Sequence, residues 1–362
     1  MKILVLEPYH GASHKRFLDD LAEHLPFEFV RLTQPARAWK WRMRFSAPYF
    51  AAELEKLQDQ SFDLILASTF LSLSDFRGLA PRPFRDLPVA VYWHENQWAY
   101  PVRKEDERDR HYVITNFTSA LAADLNLFNS EWNRSSLMAG LGQVLKAIPD
   151  TNLMGALAAI EGKSEVLWPP MIGPTSLGEK PDIQANHVPR ILWNHRWEHD
   201  KNPEEFFQSL FDLMGENIPF ELIVAGQSYA TQPRIFERAR EKLKDRVVHW
   251  GFIENEAAYA ELLGTADIVV STARHEFFGL AVMEAALAGS MPLVPNHLSY
   301  PEIYPESSLY PPGQLTPHLR KQLLNPSTCR DSLREALAPH LWATQKPKWE
   351  KTLRRLSEIR SH

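Results

Sequence analysis

Short runs of continuous apolar residues alternate with longer stretches of helical period along the whole chain. In the first half the apolar runs fall at 2–6, 28–32, 64–68, 89–94, 125–129 and 166–168, and each predicts a strand. Helices are expected between them, notably over 13–25, with Ser13 as N-cap, and over 112–123. Strands that are apolar on both faces, separated by helices, predict parallel sheets covered on both sides. The stretch 173–189 breaks the pattern, with three prolines, two glycines and no apolar period, and reads as a linker. The alternation then restarts, with strands expected at 190–194, 221–225, 247–250, 268–271 and 292–295. An α/β chain of two doubly wound domains follows, 1–172 and 190–340, joined by the linker 173–189. A last helix over 341–362 carries Trp349, Leu353, Leu356 and Ile359 at helical spacing and is expected to pack back on the first domain. Two such domains would face a central cleft, because ligands of open α/β sheets bind beyond the carboxyl ends of the strands.

The most informative departure from plain patterning is at 274–296, RHEFFGLAVMEAALAGSMPLVPN. The helix expected at 280–288 is apolar except for Glu284, and Gly289 stands where a left-handed residue would end it. A carboxylate in so apolar a helix is costly to bury unpaired, so Glu284 should accept hydrogen bonds from something. Glu276 precedes that helix, and the backbone around Gly279 offers N–H groups at a positive helix end. Two carboxylates beside such an end suit a nucleotide sugar, which combines a diphosphate with many hydroxyls. In the same domain Asn194, Arg196 and Lys201 follow a strand, and Asn202, Pro203 and Glu205 mark the next helix start. The two cations are thereby held at the strand's carboxyl end, where they can neutralise a leaving diphosphate.

Three stretches of the first domain carry candidate chemistry. The loop 7–14 has Gly11, whose backbone could approach a phosphate or sugar, flanked by His10 and His14. A second strand end presents His94, Glu95, Asn96 and Gln97 in succession, all able to hydrogen-bond to an acceptor. Residues 37–45 read RAWKWRMRF: if extended, Lys40, Arg42 and Arg44 lie on one side and Trp39, Trp41, Met43 and Phe45 on the other. Cations interleaved with aromatics can hold an RNA backbone and stack on its bases.

Composition narrows the class. The chain has 362 residues, 44% of them hydrophobic and 23% charged, with a net charge of −5, so a nucleic-acid partner must meet a local patch such as 37–45. Cys329 is the single cysteine, which excludes an internal disulfide, a thiolate zinc site and a redox pair. The first residues read as a strand rather than a signal segment, and no run has the length of a membrane span. A cytoplasmic setting is expected, which makes the sequon at 116–118 a coincidence, and the mixed run 103–110 reads as a solvated face.

Glu276 and Glu284 in their Glu-Phe-Phe-Gly-Leu context resemble the E-x7-E signature of the retaining family-4 glycosyltransferases. The resemblance implies a GT-B fold, two Rossmann-like doubly wound domains facing a central cleft. HENQWAYP at 94–101 is similar to a hallmark of one branch, the tRNA-queuosine mannosyltransferases, and the likeness extends from EPYHGASHK at 7–15 to the E-x7-E run. It implies a retaining hexosyltransferase that moves mannose from GDP-mannose to the cyclopentene diol of queuosine in tRNA-Asp, with no metal. On this reading Gly11, Asn194, Arg196, Lys201, Glu276, Phe278, Gly279, Leu280 and Glu284 bind the donor, and His94, Glu276, Arg196 and Lys201 serve catalysis. Acceptor and tRNA fall to His10, His94, Glu95, Asn96, Gln97, Lys40, Arg42 and Arg44. Open alternatives are a glycan or lipid acceptor, an epimerase or phosphorylase of the same fold, and a non-catalytic tRNA-binding module.

Overall fold

A computed structural model describes residues 1–100, 109–150, 152–172, 187–229, 232–325 and 330–359. Most of the expected linker 173–189, most of the run 103–110, Pro101 and Cys329 lie outside the described residues. The chain forms two compact units, Met1–Pro170 together with the helix Trp342–Glu358, and Met171–Leu341.

In the first unit β1 (Lys2–His10), β2 (Glu28–Pro35), β3 (Leu64–Ser68), β4 (Val89–Trp93), β5 (Leu125–Phe128) and β6 (Ser164–Val166) form one parallel sheet, ordered β2-β1-β3-β4-β5-β6. The period-2 geometry of a strand sends alternate side chains to opposite faces, and here both faces are buried. Leu4, Leu6, Ile65, Ala67, Val89, Val91 and Trp93 enter one core. Ile3, Val5, Leu64, Leu66, Ala90 and Tyr92 enter the other, where Trp349, Leu353 and Leu356 of the last helix close it. Ile359, expected on the same stripe, is exposed, because the helix ends at Glu358.

The second unit holds β7 (Arg190–Trp193), β8 (Glu221–Ala225), β9 (Val247–Gly251), β10 (Ile268–Val270), β11 (Met291–Pro295) and β12 (Leu309–Tyr310), ordered β9-β8-β7-β10-β11-β12 and again parallel. The two-residue β12 has too few residues to show a period and was not expected. In each sheet the direction of winding reverses beside the first strand, between β1 and β3 in one unit and between β7 and β10 in the other. Helices cannot fill the space beyond such a reversal, and this is where ligands enter doubly wound sheets.

Four local expectations are corrected. β1 continues to His10, so Glu7 and His10 are strand residues and not part of a loop. The following helix is Ala12–His24 with Gly11 at its N-cap; Ser13 lies inside it. Asn202 does occupy an N-cap and Pro203 the first helical position, but Asn202 is left-handed at φ 50° and its amide donates to Glu205 Oε2 at 2.6 Å instead of capping the backbone. Most consequentially, 37–45 is not extended, since a helix runs over Trp39–Glu53. Its core stripe is Met43, Ser46, Ala47, Phe50 and Ala51, so Met43 alone of the 39–45 aromatic-apolar set is fully buried.

Candidate active site

At the reversal of the second sheet, the chain leaving β7 turns through Asn194 to a short 3-10 turn, His199–Lys201. Lys201 is 6% exposed, and its ammonium donates to His275 O at 2.8 Å and to Glu276 Oε2 at 3.1 Å, with Asp200 Oδ2 at 3.4 Å. Burial alone would pull the ammonium's pKa down, but Glu276 and Asp200 together push it above its ordinary value. The effect on Glu276 is reciprocal. Burial would raise its pKa, yet Lys201 first and His195 second hold it at about 2. His195, buried beside the ammonium, is pushed down to about 4 and stays neutral. The result is a fixed charge pair just past β10, with the Glu276 carboxylate also accepting from Phe277 N at 3.2 Å.

Gly279 is the N-cap of the helix Leu280–Leu287, at φ 92°, a left-handed conformation. A Cβ there would meet Tyr300 Cε1 at 2.9 Å, so both backbone and packing demand glycine. Gly279→Ala is expected to cost about 1–3 kcal/mol, readable as a lowered thermal midpoint; an unchanged midpoint would show that the turn relaxes freely. The first N–H groups of that helix have no intrahelical acceptor and form the positive end expected there. Of its eight residues Val282, Met283, Ala285, Ala286 and Leu287 are buried, and Glu284 is on the partly open face. Tyr259 OH donates to Glu284 Oε2 at 3.4 Å and accepts from Asn194 Nδ2 at 3.0 Å. Asn194 Nδ2 also donates to Ala281 O at 2.7 Å, while its Oδ1 is buried with no hydrogen-bond partner among the described residues. Arg196 is about half exposed and pairs with Glu198 at 2.8 Å, on the rim of this group. Phe278 is a correction: it is 3% exposed and set edge-to-face on His340, so its ring packs the unit and only its backbone could meet a ligand. Leu280 is half-buried at the helix start.

The first unit places a second polar group at its own reversal. Glu7, 1% exposed near the end of β1, accepts from Ser68 Oγ at 2.9 Å and Tyr9 N at 2.7 Å, and pairs with His14 Nδ1 at 3.2 Å. The His14 ring lies against that of His94, centroids 3.9 Å apart and planes tilted by 31°, and its Nε2 is 3.7 Å from Glu95 Oε2. Burial disfavours the charged form of His14, but Glu7 and then Glu95 outweigh it and raise the pKa to about 10. His94 is pushed well below its ordinary value, by burial first and by the His14 charge second, and is therefore the neutral ring of the two. Its main chain is clamped by Thr69 Oγ1 and by Asn129 Nδ2, and its Nε2 is buried with no partner among the described residues. Because His14 is raised, its stabilising contribution is full below the ordinary value of 6.5 and lost as pH rises through about 10. Thermal melts of the parent chain should fall across that window and flatten in His14→Gln; parallel profiles would refute the ion pair.

Glu7, His14 and His94 bring one ligand atom each within 4.8 Å of one another, the composition of a metal trio. The two imidazoles nevertheless lie against each other with planes tilted by 31°, and Glu7 is already engaged by His14 and Ser68.

Among the remaining candidates, His10 is half-buried at the end of β1 with a ring nitrogen lacking a partner among the described residues. Gly11 is extended, and a Cβ would lie 2.5 Å from Ala36 Cβ, so glycine is required here by packing alone. Asn96 is a correction, being fully buried: its amide donates to Asn133 O, Asn133 Oδ1 and Ser136 Oγ, and its carbonyl accepts from Ala99 N. It shapes the loop after β4 and has no surface to offer an acceptor. Gln97 is 6% exposed, its N–H held by Asn116 Oδ1 at 2.7 Å. That bond also keeps Asn116 of the sequon fully buried in the helix Arg110–Ala122. Lys40, Arg42 and Arg44 are on the surface of their helix, but Arg42 donates twice to Pro35 O and ties down the end of β2. Sequence reasoning did not find Glu7, Asp200 or Tyr259; Glu7 and Tyr259 are made important by partners distant in the chain, and Asp200 by the burial of its neighbour Lys201.

Comparison with known proteins decides the family. The sequence profile described as tRNA-queuosine alpha-mannosyltransferase N-terminal matches residues 2–171, and that of glycosyl transferases group 1 matches residues 181–326. The tRNA-queuosine alpha-mannosyltransferase of Drosophila melanogaster is 40% identical over 321 residues, 85% of this chain and 83% of that protein. The chain belongs to the tRNA-queuosine alpha-mannosyltransferase family. Among solved structures, sucrose-phosphate synthase of Thermosynechococcus elongatus matches 98% of this chain and 99% of its own, with a TM-score of 0.74 at 17% identity. HepE of Anabaena, solved in complex with UDP, matches 98% and 100% with a TM-score of 0.69 at 14% identity. These likenesses show the fold, which is GT-B. The chain is thus a glycosyltransferase of a queuosine-tRNA-modifying family, and no helix among the described residues is long and apolar enough to cross a membrane.

Proposed function

We propose that the protein transfers mannose from GDP-mannose to the cyclopentene diol of queuosine in tRNA-Asp, with retention at the sugar carbon, in the cytoplasm. The observation that carries the donor half is the buried Lys201–Glu276 pair at the winding reversal of the second sheet. Lys201 is held there charged, and Arg196 can exchange Glu198 for a phosphate oxygen. Together they stabilise negative charge as the bond from the sugar carbon to the diphosphate breaks, a fixed electrostatic contribution made without a metal. Glu276, kept ionised, accepts from sugar hydroxyls; Glu284 and the Asn194 carbonyl accept from the donor's hydroxyls, Glu284 from the ribose. The neutral His94 ring, with Glu95, serves the acceptor side. A diol oxygen forms its bond to the sugar carbon on the face the phosphate leaves, and its proton passes to the departing phosphate oxygen.

Incubating the protein with queuosine-containing tRNA and a panel of nucleotide sugars, then weighing the digested nucleosides, tests this directly. A hexose added to queuosine from GDP-mannose alone is the expected result; no mass change with any donor overturns it.

For tRNA, the tie between Arg42 and Pro35 shifts the phosphate-binding role to Lys40 and Arg44. The pair Lys40→Ala and Arg44→Ala should weaken tRNA binding and reduce the slope of log affinity against log salt by roughly one to two. An unchanged slope removes this helix from the RNA interface.

A further inference from the structure

We propose that a notch between the helices Trp39–Glu53 and Leu73–Leu79 receives one unstacked nucleobase of the RNA substrate. The inference rests on the reading of the substrate as RNA and adds to it a base-binding site outside the Glu7, His14 and His94 group.

The notch encloses about 460 Å³ and is lined by Arg44, Phe45 and Pro48 from one helix and by Asp75, Gly78 and Leu79, with a neighbouring serine, from the other. Exposed Gly78 leaves one side of it open, since a Cβ there would meet nothing within 4 Å. Its walls are apolar surfaces left in water: Phe45 is 56% exposed and Leu79 56%. Phe45 also stacks on Trp41, itself 66% exposed, with centroids 5.3 Å apart and planes at 26°, and Tyr49 continues the same stripe one turn on. Three exposed aromatics at i, i+4 and i+8 form a ladder of π faces on which bases can stack. The polar groups suit a base rather than an aliphatic side chain. Asp75 uses Oδ2 to accept from Ser72 Oγ at 2.7 Å, leaving Oδ1 to accept from an exocyclic amino group. Arg44, lying over the Tyr112 ring, brings a cation to the rim.

Charge selects a polyanion as the occupant. The chain as a whole is acidic, yet 29–52 has no carboxylate and carries Arg37, Lys40, Arg42 and Arg44, besides Arg31, which is paired with Asp19. Placement agrees as well. Both helices begin beyond the carboxyl ends of β2 and β3, and Trp39 at the start of one touches Phe70, whose ring in turn lies against Tyr9 and His14. From the rim of the notch the contacts run inward, Arg44 over Tyr112, Tyr112 against Trp39 and Trp39 against Phe70, to the buried His14 of the same unit.

The test fills the notch from its Gly78 side. Gly78 is inside a helix, so Gly78→Leu should fold at least as stably as the parent, and Gly78→Ala adds one methyl and leaves room for a base. Binding is measured by fluorescence anisotropy with an unmodified anticodon stem-loop RNA and with a blunt RNA duplex of equal length, without donor. The parent and Gly78→Ala should prefer the stem-loop by about tenfold or more, the scale of one base–aromatic stack. Gly78→Leu should lose that preference while keeping the salt slope, because no phosphate contact has been removed. A Gly78→Leu variant that binds the stem-loop like the parent overturns the proposal, as does a parent that prefers the duplex. Neither RNA carries queuosine, so failure here is distinct from failure of mannose transfer, which the nucleoside assay reads on its own.

Discussion

Lys201→Ala is expected to lower kcat/KM for sugar transfer by about 10²–10³-fold, the usual loss when one fixed donor to a developing anion is removed. The reason lies in the environment. Lys201 is 6% exposed and held charged by Glu276 and Asp200, so its ammonium is preorganised and poorly screened by water. The same burial complicates the experiment. Removing one member of a buried pair leaves its carboxylate partner uncompensated, at about 3–5 kcal/mol, and part of the lost activity could reflect lost fold. Lys201→Ala combined with Glu276→Gln separates the two. Its thermal midpoint should recover part of the way toward the parent's, because of the two carboxylates left unpaired only Asp200 remains, while transfer stays at least as low as in the single variant. A double variant that regains both midpoint and transfer would reduce the pair to a structural tie.

Glu284→Ala should raise the dissociation constant for the donor nucleotide by about 10–100-fold, the worth of one or two hydrogen bonds to a charged acceptor. Affinity for the RNA should remain within about twofold of the parent, since Glu284 lies in the second unit and the cationic helix Trp39–Glu53 in the first. Tyr259→Phe offers a graded control: it removes the hydroxyl that links Asn194 to Glu284 but leaves the carboxylate, so a loss of only a few-fold is expected. Calorimetry that finds equal nucleotide affinity for Glu284→Ala and the parent would refute the ribose role.

The helix Trp39–Glu53 shows how a correct residue set can carry a wrong geometry. Over the seven residues 39–45, apolar and cationic positions alternate strictly, which matches a strand. The helical stripe begins only at Met43 and continues through Ser46, Ala47, Phe50 and Ala51, so a window carried on to 53 reveals the 3.6 period that the shorter one hides. Pro48 inside the helix adds to the disguise, since proline disfavours that position. The change of geometry has a functional consequence. On a strand the cations and aromatics would have faced opposite ways; on the helix Trp41, Phe45 and Tyr49 share the solvent face with Lys40 and Arg44.

The Asn96 side chain and the Phe278 ring turn away from solvent for another reason. Both stand in runs whose neighbours do have open polar character, and chain position alone cannot tell a residue that lines a site from one that holds its wall. The Asn96 amide is consumed by Asn133 and Ser136, and the Phe278 ring by His340, partners at sequence distances no local pattern encodes.

The sequence alone determined the two-sheet α/β architecture, because parallel strands buried on both faces must be apolar along their length and so announce themselves locally. It also determined the carboxylate of Glu284, since one charge in an otherwise apolar helix stands out against its own neighbours, and the left-handed end at Gly289, at φ 102°. Charge states and pairings were decided only in the tertiary structure. Lys201 and Glu276 are 75 positions apart, Glu7 and Ser68 are 61 apart, and His14 meets His94 across two strands. Whether a lysine is a solvated cation or a buried one, and which of two histidines carries a proton, depends on desolvation and on charges within a few ångströms, and those distances exist only once the sheets have formed.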